Sequence, residues 1–120
     1  MAMMVLTRLI PPEKYEEWRA TLAAFGGPRR EEYTAARTRQ GVTRQGVFVE
    51  HTSDGPMEIM VMEADDPGRA LEMIATSEEP FDVEFRAYLL NTLGLDLSQP
   101  PAGPPPEQVL DWTAPARSHA

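Results

Sequence analysis

The chain has 120 residues, 42% hydrophobic and 25% charged, the size and composition of one globular domain with no length left for a second catalytic unit. Its formal net charge of -8, from 11 Lys and Arg against 19 Asp and Glu, opposes the positive field that non-specific nucleic-acid binding needs. The absence of cysteine excludes disulfides, thiol catalysis and Cys-ligated zinc, and no apolar run approaches the roughly 20 residues of a membrane span.

Met1 to Ile10 is apolar but has neither a basic leader nor a cleavage motif, so the expectation is a cytoplasmic domain. The stretch is rich enough in apolar residues for an opening strand. Pro11 and Pro12 stop it and begin a helix, since proline is tolerated in a first helical turn. Tyr15, Trp18, Leu22 and Phe25 then recur at helical spacing as one buried stripe, and Gly26-Gly27 ends the helix. Residues 28–40 read as a second helical segment whose apolar face is only Tyr33, Ala35 and Ala36, a surface helix or a cover.

Thr43 to Thr52 and Met57 to Ala64 read as two strands of a hairpin around Ser53-Asp54-Gly55-Pro56. Pro56 cannot donate across a two-residue loop, so a four-residue loop is expected, with His51 facing Glu58 and Val49 facing Met60. Val47, Val49, His51, Glu58, Met60 and Met62 share one face; Phe48, Glu50, Ile59, Val61 and Glu63 share the other. Both faces are apolar, which predicts cover on both sides. Asp65-Asp66-Pro67 starts another helix, interrupted at residues 76–80 and restarted so that Phe81, Phe85, Tyr88, Leu89 and Thr92 line one face up to Gly94. Residues 98–106 hold five of the 12 prolines and form a stiff connector. Residues 107–114 keep Val109, Leu110 and Trp112 together and are expected as a last strand or docking arm, with 115–120 a disordered tail.

The element order over residues 1–97 plus 107–114 is α+β, a ferredoxin-like β-α-β-β-α-β sandwich with both helical layers split. Helices cover only one face of such a sheet, so the other needs a partner. With this order, this length and the split segment Ser77-Glu78-Glu79-Pro80-Phe81-Asp82-Val83-Glu84-Phe85-Arg86, the sequence resembles the dimeric α/β-barrel superfamily, in particular its small uncharacterised and antibiotic-biosynthesis-monooxygenase-like members. That resemblance implies a homodimer through the sheet face. It also implies a cofactor-free oxygenase, isomerase or cyclase acting on a small apolar or aromatic metabolite, or alternatively a non-catalytic module that binds a small molecule or a protein.

The residues themselves offer three candidate groups. His51 paired with Glu58 has the character of a general base oriented by a carboxylate, and Glu50 among apolar neighbours is a second candidate acid or base. Tyr33 and Arg37, Met60 and Met62, and Trp112 are candidates for substrate contact through charged hydrogen bonds, adaptable apolar packing and stacking. The acids Glu58, Glu63, Asp65 and Asp66 lie at opposite ends of one strand, so no metal is expected; no other cofactor is expected either.

Overall fold

The structure is a computed structural model that describes residues 2–101 and 103–116. Strand β1 (Ala2–Leu9) runs into a short 3-10 turn at Pro12–Lys14 and then helix α1 (Tyr15–Gly26), in which Trp18 and Phe25 are buried. Helix α2 (Arg30–Arg39) follows, then the hairpin of β2 (Val42–Thr52) and β3 (Gly55–Ala64). Helices α3 (Pro67–Thr76) and α4 (Pro80–Leu93) complete the order.

Each boundary has a local cause. Asp66 caps α3 by accepting from the Arg69 N–H at 3.1 Å, with Pro67 in the first turn. Gly41 and Gly94 close α2 and α4 at φ of 74° and 64°, a conformation that costs other residues strain.

The three strands form one antiparallel sheet in the order β1-β3-β2, so the two strands joined by α1 and α2 are separated by the third. The hairpin differs from expectation in register. Its loop is the two residues Ser53 and Asp54, and His51 faces Pro56 while Val49 faces Glu58. A residue's N–H and C=O point to the same side of a strand. The Pro56 carbonyl accepts from the Ile10 N–H at 2.8 Å, on the β1 side, so the missing proline donor faces away from β2. Gly55 at φ 114° and the Thr52 hydroxyl, which donates to the Gly55 carbonyl at 2.7 Å, then close the short loop. The two-residue offset preserves every side chain's face, because two is the strand period.

All four helices lie on one face of the sheet. Val47 and Val49 pack there against Ile10, Trp18, Phe25, Ile74, Phe85, Leu89 and Leu93. Met62, Ala64 and Ala70 form a smaller cluster with Met4 and Met60 beside it. The opposite face is not covered: Met3, Leu9 and Phe48 are 46%, 45% and 59% exposed.

After α4, Leu95 and Leu97 fold back onto the main core. From Ser98 onward every described residue is exposed, and residues 107–114 form no strand. The expected fourth strand is therefore absent from the sheet. Proline cannot supply ladder donors, and the connector carries Val109, Leu110 and Trp112 away from the body, at 89%, 78% and 74% exposed. Part of the expected 115–120 tail, with His119 in it, lies outside the described residues. Among the described residues no helix is long and apolar enough to cross a membrane.

Candidate functional site

Two polar clusters sit between the sheet and the helices. The first is centred on Glu58, on the helix-facing side of β3 with Arg8 and Val49 as its cross-strand neighbours. The Trp18 indole N–H donates to Glu58 Oε1 at 3.0 Å. Tyr88 donates its hydroxyl to the Trp18 carbonyl at 3.2 Å, tying α4 to α1 above the carboxyl. Tyr15 stacks on Trp18 with ring centroids 5.8 Å apart.

Burial raises the Glu58 pKa above the ordinary 4.5; the Trp18 hydrogen bond and the Arg8 charge oppose the shift without cancelling it. Burial and the nearby Glu58 charge likewise raise the Tyr88 phenol, so it stays protonated. The cluster thus places a carboxyl that holds its proton more tightly than a free one beside a fixed phenol and an indole donor.

The second cluster is a chain of polar side chains from β2 to α4. Arg37, only 5% exposed, lies between the rings of Tyr33 and Phe85, its guanidinium 4.5 and 4.4 Å from their centroids. Its Nε donates to Gln45 Oε1 at 3.0 Å, an oxygen that also accepts from the Tyr33 hydroxyl, and its Nη1 donates to Gln40 Oε1 at 2.8 Å. Gln40 passes the chain on to Asp82 Oδ1 at 3.0 Å, and Arg39 reaches Asp82 Oδ2 at 3.1 Å. Arg37 Nη2 is buried with no hydrogen-bond partner among the described residues, so two ring faces are what compensate that part of the charge.

The sequence-derived candidates divide accordingly. Glu58 is half-buried in the first cluster, and Tyr33 and Arg37 belong to the second. His51 is exposed at the loop end of β2 and is a diagonal neighbour of Glu58 rather than its cross-strand partner; its ring lies 5.9 Å from that of Tyr15. Glu50 is exposed on the open face, opposite Met57. Met62 is fully buried core, Met60 packs beside it, and Trp112 is out on the exposed arm.

Sequence reasoning missed Trp18, Tyr88, Gln40, Gln45 and Asp82 as parts of these clusters. One signal was available: a Trp on a buried stripe needs an acceptor for its indole N–H. A surface groove of about 450 Å³ between α2 and the start of α4 is lined by Arg29, Arg39, Glu79, Phe81 and Glu84 among others. The Arg29 guanidinium there is already engaged by Glu32 and Glu84. No group of three or more His, Asp or Glu suited to a metal ion occurs among the described residues. No family model matches the chain, and no curated protein or solved structure matches it.

Proposed function

We propose that the chain works as a homodimer in which two sheets meet through their open faces, as in a dimeric α/β barrel, and that the assembly binds a small apolar or aromatic molecule. The observation that supports this reading is the one-sided cover of the sheet. Met3, Val5, Leu9, Phe48, Ile59 and Val61 share the uncovered face, by strand alternation and register. A soluble monomer rarely presents so continuous an apolar surface, whereas a self-complementary interface buries it on both copies at once. The strand order β1-β3-β2 with helices on one side also agrees with the first three strands of a ferredoxin-like sheet.

Sedimentation equilibrium at micromolar concentration tests the assembly. The wild type is expected at twice the chain mass and Phe48→Glu at the chain mass with an unchanged circular dichroism spectrum. A wild type at the chain mass overturns the reading. Native mass spectrometry of the dimer as purified then identifies any small molecule carried with it.

Glu58 favours a second reading, in which the bound molecule undergoes proton transfer. A carboxyl with a raised pKa, held by an indole donor, has the acid–base character that isomerases and cofactor-free oxygenases use. Carbon-13 NMR titration of the Glu58 carboxyl tests it: a midpoint at the ordinary carboxylate value removes this reading and leaves the binding module.

A further inference from the structure

We propose that residues 107–114 of one copy pair with the outer edge of β1 in a second copy, as the fourth strand of its sheet. This inference rests on the dimer proposed above and adds the arm to it.

The receiving edge is open and suited to pairing. Among the described residues the sheet order leaves β1 paired with a strand on one side only. Ala2–Leu9 contains no proline, and its one charge, Arg8, turns its Nε onto the Leu93 carbonyl at 3.0 Å. The usual means of blunting an edge strand, such as prolines, lysines or a bulge, are lacking on this one. An extended segment that adds to such an edge gains main-chain hydrogen bonds along its whole length.

The arm has the matching character. Val109, Leu110 and Trp112 are the most exposed large hydrophobic residues in the described chain. In an extended segment Leu110 and Trp112 fall on one side, and Val109, Asp111 and Thr113 on the other. An apolar cluster of this kind in an otherwise polar tail has no role on a free tail.

The connector decides which copy receives the arm. The end of α4 lies beside the end of β1, as the Arg8 to Leu93 bond shows, so a fourth strand of the same chain needs only a short return. Instead Pro100, Pro101, Pro104, Pro105 and Pro106 intervene. Proline-rich chain is stiff, which disfavours a tight return into the edge of the same sheet. In the structure the arm stays exposed and forms no strand with the edge of its own sheet. A second copy, docked on the open sheet face, brings a second unpaired edge of the same kind.

The lack of native cysteine makes the test direct. Thr7→Cys chains are mixed with Val109→Cys or, for the opposite side of the arm, Leu110→Cys chains and treated with a short bis-maleimide, so that any mixed link joins two copies. The double variants Thr7→Cys/Val109→Cys and Thr7→Cys/Leu110→Cys report links within one chain. The expected result is a mixed link, with the double variants running as cross-linked dimers on a denaturing gel. Links confined to single chains overturn the proposal, since the arm then completes its own sheet. No link in a protein that sediments as a dimer overturns the exchange while leaving the sheet-face dimer standing, and a monomeric mass removes both. As a second measurement, the paired change Leu110→Asp/Trp112→Asp is expected to raise the dimer dissociation constant about tenfold or more; an unchanged constant overturns the proposal.

Discussion

The two faces of the sheet are built from alternate residues of the same strands, yet they live in different solvents. On β3, Met60 and Met62 face the helices, and Met62 is fully buried; Ile59 and Val61, one step along the chain, face outward. By hydrophobicity the outward set is at least as apolar as the inward one. What separates them is connectivity. Both helical layers return to the same side of the sheet, and a crossover of fixed hand settles which side that is. Cover is therefore a property of the topology, and apolar patterning alone does not predict it.

This contrast can be broken or sharpened by substitution. The largest effect belongs to the covered face. Phe25 contacts the rings of Tyr33, Phe81, Phe85 and Tyr88 with centroids 5.2 to 6.0 Å apart. Phe25→Ala is expected to lower the unfolding free energy by about 3–5 kcal/mol in urea denaturation. Asp82→Ala comes next, at about 2–4 kcal/mol, because it strands Gln40 and Arg39 where Asp82, 1% exposed, now accepts from both.

Glu58→Gln gives a smaller, pH-dependent effect. The folded chain holds the Glu58 proton more tightly than the unfolded chain, whose carboxyl titrates near 4.5. The stability this group contributes is thus present below pH 4.5 and is lost as pH rises through its higher folded pKa. The neutral variant avoids that loss. Its stability relative to wild type is expected to rise as pH climbs above 4.5 through the folded pKa of Glu58 and then level off. A difference that does not change with pH contradicts the burial of this carboxyl.

The smallest effect on a single chain belongs to the open face. Phe48→Glu is expected to change the unfolding free energy of the isolated chain by no more than about 0.5 kcal/mol. The wild-type thermal midpoint should rise with protein concentration, since association stabilises the folded state by mass action, and that of the variant should not. A concentration-independent wild type speaks against a partner for this face.

Much of the architecture was legible in the residues. The α1 stripe, the capped start of α3, the proline restart of α4 and its glycine stop all follow from local chemistry. So does the sharing of faces along the hairpin, because the two-residue register error preserves it. Three things were not legible. Pairing His51 with Glu58 assumed that Pro56 needed its absent N–H toward β2, and only the position of Ile10 shows that it does not. The clusters themselves join residues far apart in sequence, such as Trp18 to Glu58 and Gln40 to Asp82, and no local pattern announces a contact across 40 residues. The fourth strand was read from the apolar character of the arm, which marks a segment that wants burial without saying where.

Pro56 also bears on which misfolded hairpins are ruled out. A one-residue slip that turns β3 over, against both of its neighbours, points the proline nitrogen toward β2 and deprives a carbonyl there of its donor. The same slip exchanges the two faces, bringing Glu63 and Ile59 under the helices and Met62 out into water. Because both faces are apolar, hydrophobicity alone penalises that slip weakly. The hydrogen atom that Pro56 lacks therefore adds its own penalty to the inside-out hairpin.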